Sequence, residues 1–307
     1  MHEIFSFKKM KHEDKKWIKK RLGESNYNGC EYCFGNLFIW DSTYNQEVAD
    51  YKGFLIAKAL VENRVGFLFP AGSGDLKQVI SDLAAYCANS GYPLTFGNIT
   101  NDHKAVLDDL FPGAFFYTEN RDASDYIYLR ENLAILAGKK YHAKRNHIAR
   151  FKDNPDWVYE PITAKNLDEC YEMSMEWHKK YREVEDYESY QNELNAIRLA
   201  FEHFLELEFD GGLIRLNGSI AALTMGEQLN SDTYVIHIEK ALPHIQGAYA
   251  IINQQFAQRV PEFIKYINRE DDLGNEGLRR SKLSYHPEIL LTKFDATLKP
   301  TIAPKMP

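Results

Sequence analysis

No stretch of this 307-residue sequence is long and apolar enough to cross a bilayer, and its start, Met1-His2-Glu3-Ile4, lacks the apolar core of a secretion signal. A soluble, cytoplasmic protein without an integral membrane segment is expected. Cysteine is scarce, with four in the chain, so no disulfide framework is expected. Cys30-x-x-Cys33 has no second Cys or His pair at zinc-finger spacing. It supplies two of the four ligands that tetrahedral zinc needs, and no metal is expected. A Walker-type loop, an HExxH pair, a Gly-x-Ser-x-Gly elbow and a dinucleotide fingerprint are all missing, which disfavours the chemistries they serve. Net positive charge is lacking too. The formal charge of −7 argues against broad binding to nucleic acid, DNA included, but leaves room for a local basic patch.

What is present fits globular folding: 44% hydrophobic and 13% aromatic residues, on a chain long enough for two domains. In the first half the patterning predicts a strand at Phe5-Ser6-Phe7 and a polar helix over 13–22 stopped by Gly23. A strand pair, 51–60 and 64–69, follows across Val61-Glu62-Asn63. After Pro70-Ala71-Gly72-Ser73-Gly74 comes a helix with Leu76, Val79, Ile80, Leu83 and Tyr86 on one face, then a strand over 92–99, a helix over 102–110 and a strand over 126–129. The second half repeats the order. A strand over 158–162 and helices over 166–181 and 189–207 (Leu194, Ile197, Phe201, Phe204, Leu205) lead to a hairpin turned by Asn217-Gly218. A third strand over 234–238, a helix opening at Gln246, a strand over 263–268, a helix over 275–282 and a strand over 289–294 complete it. One element order met twice suggests a duplicated α/β unit: domains over 1–135 and 155–307, joined by a connecting helix over 136–154.

Two stretches carry chemistry. Gln246-Gly247-Ala248-Tyr249-Ala250 opens a helix directly after a strand. First-turn N–H groups lack intrahelical partners and sit at the positive end of the macrodipole, so a phosphate can lie against them where Gly247, Ala248 and Ala250 let it approach. Tyr249, Ile252, Phe256 and Val260 would bury the helix's other face. The second stretch is residues 139–152, with six Lys/Arg, two His and no acid. As a helix it turns Tyr141, Ile148 and Phe151 inward. It is either a solvated linker, or Lys140, Lys144 and Arg145 hold a phosphate-rich partner such as a tRNA acceptor end, an anionic lipid head group or coenzyme A. At the equivalent loop of the first half, Asp75 makes a good helix cap and a poor neighbour for phosphate, so that copy is expected to shape the acceptor groove and not to bind donor.

The second half's element order is that of the GCN5-related N-acetyltransferase (GNAT) fold, and Gln246 to Ala250 resembles a variant of its pyrophosphate loop, with Tyr249 where a second glycine usually falls. Two motifs are more specific: Lys139-Lys140-Tyr141-His142-x-Lys144-Arg145-Asn146-His147-Ile148-x-x-Phe151, and the run from Asn268-Arg269-Glu270 through Gly274, Arg279 and Lys282 to Tyr285-His286-Pro287. Both resemble an uncharacterised bacterial family whose domain is similar to the C-terminal catalytic domain of phosphatidylglycerol lysyltransferase. The resemblance covers most of the chain. It implies an α/β (α+β) fold of two tandem GNAT-like domains, as in the Fem aminoacyltransferases, each a mixed, mostly antiparallel sheet flanked by helices. It also implies a coenzyme A thioester (acyl-CoA) or an aminoacyl-tRNA as donor, and a small-molecule or lipid head-group acceptor bearing an amine or hydroxyl.

Acyl transfer needs a base for the nucleophile's proton, N–H groups for the oxyanion and an acid for the leaving group. Glu239, at the end of the central strand, is the candidate base, or else a surface carboxylate paired with Lys240. Tyr285, where related folds carry a proton-donating Tyr, is the candidate acid, or else a half-buried ring with its hydroxyl bonded. His286 can substitute for it, or simply mark the turn before Pro287. Asn268 and Arg269 end a strand and are candidates to orient substrate. The reading is an acyltransferase or aminoacyltransferase; the alternative is a catalytically degenerate GNAT fold that only binds a ligand or partner.

Overall fold

The computed structural model describes residues 4–61, 64–181 and 187–300; the extreme start (1–3) and the expected turn at 62–63 lie outside them. In chain order the strands are β1 (Glu47–Tyr51), β2 (Phe54–Val61), β3 (Arg64–Phe67), β4 (Ala71–Gly72), β5 (Thr95–Ile99), β6 (Phe115–Leu129), β7 (Trp157–Pro161), β8 (Asp210–Leu216), β9 (Ser219–Gln228), β10 (Thr233–Ala241), β11 (Tyr266–Asn268) and β12 (Ile289–Leu298). Among the described residues no helix is long and apolar enough to cross a membrane.

Two units result, neither continuous in sequence: Met1–Gly29 with Asp41–Ser124 and Leu291–Pro307, and Cys30–Trp40 with Asp125–Leu290. In the first, the strand order is β1-β2-β3-β5-β12. In the second it is β6-β11-β10-β9-β8-β7. Each sheet runs antiparallel until one parallel step, β3 to β5 or β10 to β11, and then closes with an antiparallel strand. The parallel step spans a helix, Leu76–Asn89 in one unit and Ala248–Ala257 in the other, the usual form of the crossover that parallel strands need. The closing strand comes from elsewhere in the chain: β12 pairs with β5, and residues 127–129 of β6 pair with β11. The fold class is α/β (α+β), two GNAT-like units with mixed, mostly antiparallel sheets flanked by helices.

Several expected elements differ. Phe5-Ser6-Phe7 is not a strand; only Lys8 bridges to Val48, while the buried Phe5 ring packs on Tyr51 at 4.3 Å and Tyr86 at 5.5 Å. Gly23 does not stop the first helix, which runs Lys15–Ser25 and ends where Asn26 takes a left-handed φ of 54°. The strand expected over 51–60 is broken by Lys52-Gly53, whose φ angles of 46° and 89° turn β1 into β2. In the second half the Asn217-Gly218 turn forms as expected, with φ of 50° and 82°. Leu205 and Phe263, expected in a helix face and a strand, are 62% and 64% exposed. Asp75 caps the helix Leu76–Asn89, its carboxylate accepting from the Gln78 N–H at 3.0 Å.

The basic segment forms the helix His142–Lys152. Its inward face is the expected one: Tyr141, Ile148 and Phe151 are buried with Ile214, Ala222 and Ala241 and with Ala248, Ala250, Ile251 and Ile252 of the helix Ala248–Ala257. A second core in the same unit collects Tyr126, Tyr128, Tyr234, Phe256, Ile267 and Tyr285.

Candidate active site

The parallel step of the second sheet lays β10 beside β11, with Val235 opposite Asn268. Against β9 the register of β10 slips between Ile236 and Ile238, so His237 is a bulged extra residue. A bulge breaks the two-residue alternation of a strand and sends later side chains to the other face. His237 and Glu239 therefore do not share surroundings, although two positions apart. His237 lies with Glu227 and Glu270, whereas Glu239 pairs with Arg269, just past β11, at 2.7 Å. Lys240, the alternative partner of Glu239, turns away to Glu193 at 2.6 Å and lies 4.1 Å from the centre of the Trp177 ring.

The Glu239–Arg269 pair is close to closed off from solvent, with side chains 9% and 11% exposed. Only half of each fork is engaged. Glu239 Oε2 and Arg269 Nη1 are buried and have no hydrogen-bond partner among the described residues. Buried charged atoms are normally satisfied, so these two unpaired atoms, both shut off from solvent, are exceptions that set this pair apart. Arg269 also lies 4.9 Å from the ring centre of Tyr285 and 5.7 Å from that of Tyr128, a cation against two ring faces. Burial works against its charge, but Glu239 opposite holds the guanidinium's proton more tightly than usual.

Lys144 reaches this pair from the basic helix, its Nζ 3.7 Å from the Tyr285 ring centre. Burial, helped by the neighbouring Arg269 charge and opposed by Glu239, lowers its pKa to about 8. Burial likewise pushes the Tyr285 phenol above its ordinary range, so it keeps its proton at any working pH. The structure thus brings Glu239, Arg269, Tyr285 and Lys144 into one cluster. Of the other basic candidates, Arg145 donates to the carbonyls of Leu136 and Gly138 at 2.5 and 2.7 Å, and Lys140 is exposed over the Tyr141 ring. His286 is exposed in a turn with φ 53°, edge-on to Tyr141, its Nε2 3.3 Å from the Lys140 carbonyl. Asn268 points to the other side, donating to Asp125 at 2.9 Å.

At the expected donor loop Gln246 is exposed, Gly247 precedes the helix with φ 85°, Ala248 and Ala250 are buried, and Tyr249 is 39% exposed rather than buried with Ile252, Phe256 and Val260. The small residues here have a neighbour. A Cβ on Gly247 would run into the His147 carbonyl oxygen and stand 3.0 Å from Phe151 Cβ. The basic helix thus packs against Gly247 on the side where a Cβ would point, and the Ala248 N–H is bonded to the Ile245 carbonyl at 3.2 Å.

Fold and cluster together define a tandem GNAT-like protein. The chain belongs to the family described as phosphatidylglycerol lysyltransferase, C-terminal, whose profile matches residues 23–297. A conserved protein of unknown function from Bacteroides thetaiotaomicron VPI-5482 is 39% identical and superposes with a TM-score of 0.92, covering 96% of this chain and all (100%) of that one. The structure of L-PGS from Bacillus licheniformis, 19% identical, has a TM-score of 0.65 over 93% of this chain and 92% of its own. FemX shares the fold at 10% identity, with a TM-score of 0.57 over 94% and 96%. An uncharacterized protein of Mycoplasmoides gallisepticum is 23% identical over 186 residues, 57% of this chain and 56% of that protein, so the match spans little more than half of that relative.

Proposed function

We propose that the chain transfers an aminoacyl group from an aminoacyl-tRNA to a hydroxyl or amine on a phosphate-bearing acceptor, with a lipid head group such as that of phosphatidylglycerol the first to test. The observation that carries this is the buried Glu239–Arg269 pair with one unpaired atom on each partner, flanked by Lys144 and Tyr285. Glu239 Oε2 takes the acceptor's proton as its oxygen or nitrogen attacks the ester carbonyl. Arg269 Nη1 faces the oxyanion, and Tyr285 gives its phenolic proton to the departing ribose oxygen as the old ester bond breaks; afterwards Tyr285 regains a proton from solvent and Glu239 releases the one it took. The Lys144 ammonium holds a phosphate. An aminoacyl-tRNA donor is favoured over acyl-CoA by the Ala248 N–H, already bonded to the Ile245 carbonyl, and the lysyl transfer in the family's description supports the same choice.

The test offers tRNA charged with labelled lysine, and in parallel other amino acids, to the protein with phosphatidylglycerol vesicles, and follows label into the lipid. A second arm measures thiol release from acyl-CoA. Label in the lipid supports the reading; thiol release without use of tRNA overturns the donor; silence in both arms leaves a binding protein.

Lys144 makes a separate prediction. Its pKa of about 8 means that its charge fades as pH rises through that value, so KM for the phosphate-bearing substrate should climb there while kcat changes little. Lys144→Met should raise KM ~10-fold or more at pH 7 and abolish that climb, as expected for loss of a charge-assisted contact. A flat KM profile in wild type removes Lys144 from substrate binding.

A further inference from the structure

Across the sheet from the Glu239 cluster lies a second group of buried side chains that the proposed transfer does not use. Cys33 and Glu227 are 3% and 5% exposed, and the His237 side chain 1%. Cys33 Sγ stands 3.9 Å from His237 Nε2, Glu227 Oε1 stands 3.3 Å from the same nitrogen, and the three atoms lie within 4.8 Å of one another. A tetrahedral zinc with ordinary bond lengths to sulfur, nitrogen and oxygen would set such atoms ~3.3–3.6 Å apart, so the two distances to His237 Nε2 are within a few tenths of an ångström of a ligand set, and Cys33 and Glu227 would have to draw together to complete it.

The surroundings are those of a metal-bound histidine. Glu270 Oε1 lies 2.8 Å from His237 Nδ1, the contact that leaves Nε2 free to ligate and fixes the ring. Glu270 in turn accepts from Asn36 Nδ2 at 3.2 Å, and Glu227 Oε1 accepts from the Gly35 N–H at 2.8 Å. Position 35 has no room for a side chain, because a Cβ would strike Glu227 Oε1 and the Phe209 ring. Two hydrogen bonds to carboxylates would suffice to satisfy a protonated imidazole. They do not call for a thiol at the same nitrogen; that thiol donates to the Cys30 carbonyl at 3.3 Å, a bond that a metal on the sulfur would replace.

We propose that Cys33, Glu227 and His237 bind a divalent cation of the zinc class, with a water as the fourth ligand. The cation replaces the Cys33 thiol proton and any proton on His237 Nε2, both released to solvent. It ties the stretch Cys30–Trp40 to β9 and β10, and its role is to hold the second unit together. The spacing argument missed this set because Cys30 is not a ligand, and the partners of Cys33 lie far along the chain.

The test uses the full chain grown with zinc, gel-filtered and analysed for bound metal, and the same protein reconstituted with cobalt(II). About one zinc per chain is expected, and with cobalt a thiolate-to-metal charge-transfer band in the near ultraviolet. Cys33→Ser should lose the band and most of the zinc. Glu270→Gln, which keeps all three ligands, should weaken zinc binding ~10–100-fold. Circular dichroism checks that each variant is folded. Folded wild type with neither zinc nor the cobalt band, or a Cys33→Ser protein that retains both, overturns the proposal. Because no transfer assay enters, failure here leaves the proposed activity standing, and the reverse also holds.

Discussion

Glu239→Gln is expected to slow turnover ~100-fold or more while leaving KM for the aminoacyl donor nearly unchanged, the signature of a lost proton acceptor. It should also destabilise the protein. Arg269 would keep its charge in surroundings that leave its side chain 11% exposed, facing a neutral amide. Breaking such a pair from one side costs ~3–5 kcal/mol, most of it the penalty of the abandoned charge. Chemistry and stability separate in the double variant Glu239→Gln with Arg269→Met. An apolar side chain removes the abandoned charge and should recover much of the lost stability, while turnover stays low. Urea titration and steady-state kinetics on the three proteins decide it. Wild-type turnover in Glu239→Gln would take this residue out of the chemistry, and a double variant no more stable than the single one would refute the account of the pair.

The second large effect is expected at Gly247. Valine there must adopt a φ of 85°, which costs a β-branched residue ~1–3 kcal/mol, and its Cβ meets the His147 carbonyl, so the basic helix must shift at a further cost of ~1–3 kcal/mol. A fall in thermal midpoint of roughly 3–10 °C follows for a protein of this size. Alanine should bring a large part of the same loss, since it carries the same Cβ. Calorimetric scans of wild type, Gly247→Ala and Gly247→Val measure it. A valine protein as stable as wild type, yet unable to bind coenzyme A in titration, would instead support the phosphate loop read from the sequence.

Much of the second unit could be read without coordinates because its signals are local. The Asn217-Gly218 turn, the inward face of Ile148 and Phe151, and a carboxylate and a tyrosine near strand and helix ends depend on neighbours a few residues away. What stayed hidden depends on distant chain segments. Lys144 was legible as a basic residue on a helix, but not as a cation over the Tyr285 ring with its proton loosened by burial. Small residues at 247–250 admit a phosphate or a packed helix alike, and that the His147 carbonyl lies against Gly247 depends on a segment far back in the chain. The bulge at His237 decides which residues of β10 share a face, and nothing in the local pattern announces it. In the first unit, Lys52-Gly53 was a readable turn that continuous hydrophobicity masked.

The closing strands have a consequence for synthesis. A chain made from its N-terminus offers β1 to β5 early, yet β5 receives its antiparallel neighbour only from β12, after the strands β6 to β11 have been made. The second unit draws on Cys30–Trp40, produced long before the strands it joins. Multidomain chains usually finish one domain while the next is still on the ribosome. Here neither sheet can be completed far ahead of the other, so a nascent chain halted before residue 289 should remain a client of chaperones, with the hydrogen-bonding edge of β5 that β12 will cover still open.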